Sequence, residues 1–255
     1  AHTCRAPRAS VKGRASPRAR NYIPVIQPAR IRDKSAGLHL SRQPRETRRM
    51  SDKFIDVSRP LHSGCPHWPG DIDTEFRLGA RLADGAACNL GRLTLSVHCG
   101  THADAPFHSH DRGTTIDALA PEHFIGPARV IDARGHTAFT EKLFTGLSPA
   151  DLAATPRILF RTDTWLDNTT FPTKWPLLER TMPAWLAARG VKLIGLDVPS
   201  VDPIDNTDMA IHHLMDAANL LIIESLDLRD VAPGVYELIA LPLKLRGADG
   251  SPIRA

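Results

Sequence analysis

Residues 98–108 read His98-Cys99-Gly100-Thr101-His102-Ala103-Asp104-Ala105-Pro106-Phe107-His108. Three imidazoles and a carboxylate fall in this one short stretch, and those groups suit zinc, manganese and similar divalent ions. Gly100 lets the backbone turn between the first two histidines, and Pro106 stops any helix beyond Asp104. His98 and His102 are therefore read as the end of a strand and the loop leaving it, not as an i, i+4 pair on a helix. One histidine in a loop is ordinarily a hydrogen-bonded or solvated side chain. Three of them with an aspartate, at spacings of 4, 2 and 4 and broken by Gly and Pro, point to a cation site. Cys99 lies between two candidate ligands. On a strand its side chain points away from that of His98, which makes it a buried structural thiol.

A second acidic group stands far along the chain. Leu220-Leu-Ile-Ile-Glu224 reads as a strand ending in a carboxylate within a strongly apolar run. Burying an ionised Glu costs several kcal/mol unless it is paired or bound to a cation, so a metal or a nearby Arg must compensate it. Ile211–Asn219 reads as a helix. Its adjacent His212 and His213 diverge by about 100°, so one of the two faces the site.

Several further elements must position these groups. Arg92–His98 alternates, with Leu93, Leu95 and Val97 on one face and Thr94, Ser96 and His98 on the other, which predicts a strand. Phe54–Ser58 alternates in the same way. Between them, Leu61–Asp73 is a Gly/Pro-rich loop in which Trp68 is either an anchor onto the core or an aromatic wall for a flat substrate; His62 and His67 are read as loop histidines. Residues 127–132, 157–162, 192–197 and 236–245 read as strands, and 109–126 as loop with a short helix near Ile116. Ser148, Pro149 and Asp151 mark a helix start, and a second helix runs from Thr181 to a stop at Gly190. Asp197–Asp202 leaves the C-terminal end of a buried-type strand, where open α/β sheets line their pockets. Ser200 and Asp202 are either partners behind ligating histidines or formers of a turn. Ala248–Pro252 reads as a turn.

The chain of 255 residues is 42% hydrophobic with a net charge of +4. That charge is unevenly placed. Residues 1–49 hold 13 Lys and Arg against two acids, leaving the rest at −7. The stretch is rich in Arg, Ser and Pro and is expected to be disordered. It lacks the apolar core of a secretory signal. The preferred reading is that the natural start is Met50 and the basic stretch lies upstream of it, with a transit peptide second and a nucleic-acid-binding arm a distant third. No apolar run reaches the ~20 residues of a membrane helix. Cys4, Cys65, Cys88 and Cys99 contain no CxxC, and the three beyond the tail argue against a disulfide framework and for a reducing, cytoplasmic setting.

The eleven-residue motif resembles the signature of the metal-dependent cyclase family, and within it the kynurenine formamidase (arylformamidase) branch. The similarity runs from about Met50 to Ala255. It includes Trp68-Pro-Gly-Asp71, Gly195-Leu-Asp197-Val-Pro199-Ser200-Val-Asp202 and Leu241-Pro-Leu-Lys-Leu-Arg-Gly-Ala-Asp249-Gly-Ser-Pro252. The resemblance implies one α/β domain over 50–255, with a mixed β-sheet core and flanking helices of the cyclase-like, swivelling β/α/β type. It also implies two divalent ions, zinc or else manganese. His98, His102, Asp104 and Glu224 would hold one, and Asp104, Glu224 and His212, twelve residues before the Glu, the other. His108 would act as proton acceptor and donor, for which an imidazole pKa near 6.5 is suited, and Trp68 would contact the substrate.

The implied activity is hydrolysis of N-formyl-L-kynurenine to L-kynurenine and formate, in tryptophan degradation. The implied assembly is a homodimer in which a partner completes the aromatic loop; neither nucleic acid nor membrane is expected as a partner. The alternatives are another amidohydrolase of the family, such as an isatin-type lactam hydrolase, and a metal-binding module without catalysis.

Overall fold

The structure, a computed structural model, describes residues 54–255; the basic tail expected over 1–49 and its boundary at Met50 lie outside them. Strands β1 (Glu75–Ala80) and β2 (Leu90–Thr94) form an antiparallel ribbon. Then come β3 (His102–Asp104), β4 (Ile125–Asp132), β5 (Ala138–Phe139), helix α1 (Pro149–Ala154), β6 (Arg157–Arg161), β7 (Leu177–Leu178) and α2 (Met182–Ala187). The chain continues through β8 (Leu193–Leu196), α3 (Ala210–Ala217), β9 (Leu221–Glu224), β10 (Gly234–Ile239) and β11 (Gly250–Pro252).

Seven strands make one mixed sheet in the order β10-β4-β6-β8-β9-β3-β11. β4, β6, β8 and β9 run parallel; β10, β3 and β11 are antiparallel to their neighbours. The central strands are continuous apolar runs because they are covered on both faces. Ile158, Phe160, Ile194, Leu196 and Ile222 pack against Leu152 of α1, Leu186 of α2 and Met215 of α3. On the opposite face Val130, Leu159, Leu193 and Ile223 meet Val57, Phe124, Leu226, Leu238 and Ile253. The expected α/β fold is present, with the three α-helices of the described residues gathered on one face and irregular segments covering the other.

Local signals hold where they are self-contained. Ser148 Oγ accepts from the Asp151 N–H, and the Asp151 carboxylate accepts from the Ser148 N–H at 2.8 Å, which closes the start of α1. Four expectations are corrected. Residues 54–58 form only one bridge, Ser58 to Leu226, not a strand. The strand expected over 92–98 stops at Thr94, because its sole partner β1 begins at Glu75 opposite that residue; His98 lies in the turn that follows, where the Cys99 N–H reaches the Ser96 carbonyl. The turn expected over 248–252 contains β11, an edge strand on β3, and the last strand expected to reach Leu245 ends at Ile239. Among the described residues, no helix is long and apolar enough to cross a membrane.

Candidate metal centre

The centre lies where parallel β8 and β9 end and antiparallel β3 begins. In the β3–β9 pair His102 is in register with Glu224 and Asp104 with Ile222. Alternation along each strand then puts His102, Asp104 and Glu224 on one face, the face that α3 covers. That helix supplies His212, which is buried, whereas His213 is exposed. The start of α3 is fixed by Asp202. Its carboxylate accepts from the backbone N–H groups of Ile211 at 3.0 Å and His212 at 3.2 Å, and pairs with Nδ1 of His212 at 2.7 Å. Of the two readings of Asp202, the structure shows the histidine partner; its second contact is to the start of α3, not to a turn of its own.

His102, Asp104, His212 and Glu224 are each at most 5% exposed. Nδ1 of His102 donates to the Gly100 carbonyl at 2.8 Å, a contact that the left-handed turn at Gly100 (φ 66°) makes possible. With both Nδ1 atoms engaged, the two Nε2 atoms face the carboxylates. His102 Nε2 is 3.4 Å from Asp104 Oδ1 and 3.6 Å from Glu224 Oε2. His212 Nε2 is 3.7 Å from both Asp104 Oδ2 and Glu224 Oε1. Each carboxylate thus turns one oxygen to each imidazole. These gaps exceed ordinary hydrogen-bond lengths and lie near the ~3.4 Å edge of a tetrahedron with metal–ligand bonds of about 2.1 Å. Asp104 Oδ2 is buried without a hydrogen-bond partner. No Arg or Lys pairs with Glu224 among the described residues; only the Val201 N–H donates to it, at 3.0 Å. Burial, with Asp104 beside it, pushes the Glu224 pKa up, while His102, His212 and His98 overcome burial to hold Asp104 well below the usual carboxylate range. Two buried carboxylates converging with two imidazole nitrogens, and no Arg or Lys among them, fit a divalent cation.

His98 is arranged differently. Both its nitrogens are hydrogen-bonded, Nδ1 to Asp104 Oδ1 and Nε2 to Asp249 Oδ2, each at 2.9 Å. Burial would lower its pKa, but the two carboxylates outweigh that and push it up to about 10. His108 stacks on it, ring centroids 4.0 Å apart, with Nδ1 3.3 Å from the same Asp249 oxygen. Burial, together with positive charge on His98 and His212, lowers the His108 pKa. Cys99 is fully buried, its Sγ beside Thr74 Oγ1 and 3.4 Å from Cys65 Sγ, and turned from the imidazoles as expected.

A cleft of about 390 Å³ opens onto these groups, lined also by Trp68, Trp165 and Phe171, an ordinary size for a small-molecule site. Trp68 meets Phe171 edge-on at 5.9 Å, and Trp165 is held by the Arg59 guanidinium 3.8 Å over its ring. Trp165, Phe171 and Asp249 are the residues that sequence reasoning passed over. The first two sit in the segment after the strand read over 157–162, where the sequence carries no element signal, and Asp249 lies in a stretch read as a turn and quoted in the last family-like segment without a role of its own.

Residues 55–203 match the family profile described as "Putative cyclase". A kynurenine formamidase of Geobacillus thermodenitrificans (strain NG80-2) is 41% identical over 207 residues, which cover 81% of this chain and 97% of that protein. Among solved structures, a "Potential Metal-Dependent Hydrolase With Cyclase Activity" superposes with a TM-score of 0.65 at 25% identity, covering 78% of this chain and 94% of the other. An isatin hydrolase bound to the product analogue thioisatinate gives 0.67 at 22% identity, covering 78% and 89%.

Proposed function

The chain belongs to the cyclase family, and on that footing we propose that it is an arylformamidase that hydrolyses N-formyl-L-kynurenine to L-kynurenine and formate. The observation that carries the hydrolytic reading is the convergence of His102, Asp104, His212 and Glu224, from both halves of the chain, with separations suited to shared cations. The substrate follows from the relative named kynurenine formamidase, of which this chain covers 97%. The likeness to isatin hydrolase, at 22% identity, speaks for the fold alone.

Two divalent ions are proposed, zinc by preference and manganese by ligand type. His98, His102, Asp104 and Glu224 would hold one; Asp104, Glu224 and His212 the other. Ions held there would polarise the formyl carbonyl and lower the pKa of a water toward neutrality. For His98 to join the ligands it must give up its hydrogen bond to Asp104. His108 is proposed to accept the proton from the attacking water and return it to the aniline nitrogen as that bond breaks. Its lowered pKa keeps the imidazole neutral and able to accept at neutral pH. Trp68, with Trp165 and Phe171, is proposed to hold the aromatic ring of the substrate.

A homodimer is proposed on the β1–β2 ribbon. Phe76, Leu78, Leu90 and Leu93 are all at least 39% exposed on it, and a lone two-stranded ribbon bearing such side chains gains from cover by another surface. The ribbon continues directly from the loop that carries Trp68. The free thiols of Cys65, Cys88 and Cys99 fit a reducing, cytoplasmic setting.

The test pairs metal analysis with turnover of N-formylkynurenine, followed by the absorbance of the released aniline, in the wild type and in His108→Ala. The variant is expected to retain its metal and lose about 10²–10⁴-fold in kcat. A metal-loaded wild type that releases no formate would refute the activity.

A further inference from the structure

Asp249 has no part in the ligand set or the substrate contacts proposed above, yet its position is closely defined. Its carbonyl accepts from the Ala105 N–H at 2.9 Å, and the next residue, Gly250, is in register with Asp104. A Cβ at Gly250 would lie 2.7 Å from Cε1 of His98 and 3.1 Å from the Ala103 carbonyl. Glycine there lets the His98 ring rest on the backbone of β11. The Asp249 side chain therefore leaves the chain at the edge of the His98–His108 stack, and one oxygen, Oδ2, serves both rings: His98 Nε2 at 2.9 Å and His108 Nδ1 at 3.3 Å.

A neutral imidazole carries one proton, and a carboxylate at Nδ1 keeps it on that nitrogen. Nε2 is then the nitrogen left with a lone pair. We propose that Asp249 is the positioning residue of the proton-transfer step: it fixes the ring and the tautomer of His108 so that Nε2 accepts the proton. This inference rests on the reading of His108 as proton carrier.

The test compares Asp249→Asn and Asp249→Ala, alone and combined with His108→Ala, using N-formylkynurenine and bound-metal analysis. The Asp249 side chain is 40% exposed, so shortening it opens no sealed cavity. An amide can offer its N–H to His108 and favour the wrong tautomer, as replacing the carboxylate does in other carboxylate–histidine pairs. Assayed with saturating zinc, because Asp249 also holds His98, Asp249→Asn is expected to lower kcat about 10²-fold with KM within about 3-fold and bound metal at the wild-type level. In the His108→Ala background the same change should cost under about 3-fold, because two residues acting on one step are non-additive. Full turnover in both Asp249 variants beside an inactive His108→Ala would overturn the proposal and leave His108 as proton carrier. Loss of metal in step with activity would also overturn it, since Asp249 would then act through His98. Full activity of His108→Ala would remove the reading on which it rests.

Discussion

His102 and Glu224 stand directly opposite each other in the β3–β9 pair, with Nε2 3.6 Å from Oε2. A cross-strand pair of this kind is set by backbone register and does not depend on loop conformation. Glu224 thus holds its place without any ion, at an energetic cost: burial and Asp104 raise its pKa, so ionised Glu224 destabilises the metal-free fold above the ordinary carboxylate range. Glu224→Gln is expected to stabilise the metal-free protein by on the order of 1 kcal/mol at pH 8. Zinc is expected to raise the Tm of the wild type, and the same change should abolish that rise. Thermal unfolding with and without zinc checks both signs.

Metal uptake should release protons. Burial would lower the pKa of His98 and His212, but Asp104 with Asp249 in one case, and Asp104 with Asp202 in the other, push each up to about 10. Both therefore carry protons in the metal-free protein at neutral pH, and a cation must displace them. Apparent affinity is expected to rise with pH toward that value. Calorimetric titration with zinc in two buffers of different ionisation enthalpy measures the protons released, and identical heats in both would contradict the prediction.

Asp202 separates two roles that one variant would confuse. It caps α3 and it holds His212. Asp202→Ala should cost about 1–2 kcal/mol of stability and lower zinc affinity about 10–100-fold. Asp202→Asn keeps an acceptor for the backbone, so it should retain most of the stability while still weakening zinc about tenfold. Denaturant unfolding and chelator competition read the two effects independently.

The ribbon makes a prediction about assembly. Phe76 and Leu93 are paired across it and about half exposed. Changing both to Glu should give a monomer by light scattering, since charge at the centre of an apolar contact is disfavoured. A dimer that survives both changes would place the contact elsewhere.

Much of the centre was legible because its signals are local. Three histidines and an acid broken by Gly and Pro, and a Glu ending an apolar run, need no knowledge of distant partners. Placing His98 on a strand failed because alternation at Leu93, Leu95 and Val97 reports a preference for extended chain, whereas a strand also requires a neighbour, and β1 offers none beyond Thr94. Asp249 was hidden for the related reason that β11 is three residues long and contains Pro252; only pairing with β3 makes it a strand. Trp165 carried no periodicity of its own, and its place is set by Arg59, which also reaches the carbonyls of Asp167, Asp197 and Leu226.

β3 comes early in the chain, yet both of its sheet neighbours, β9 and β11, come from the last quarter. During synthesis its histidine and aspartate leave the ribosome long before anything can lie beside them. Such distant pairings slow folding, and a fragment cut short of β9 would carry four of the five proposed donors, lacking Glu224, and would leave β3 without either strand it pairs with. Capture of the proposed ion would consequently be a late event in the life of this polypeptide, open only to the finished sheet.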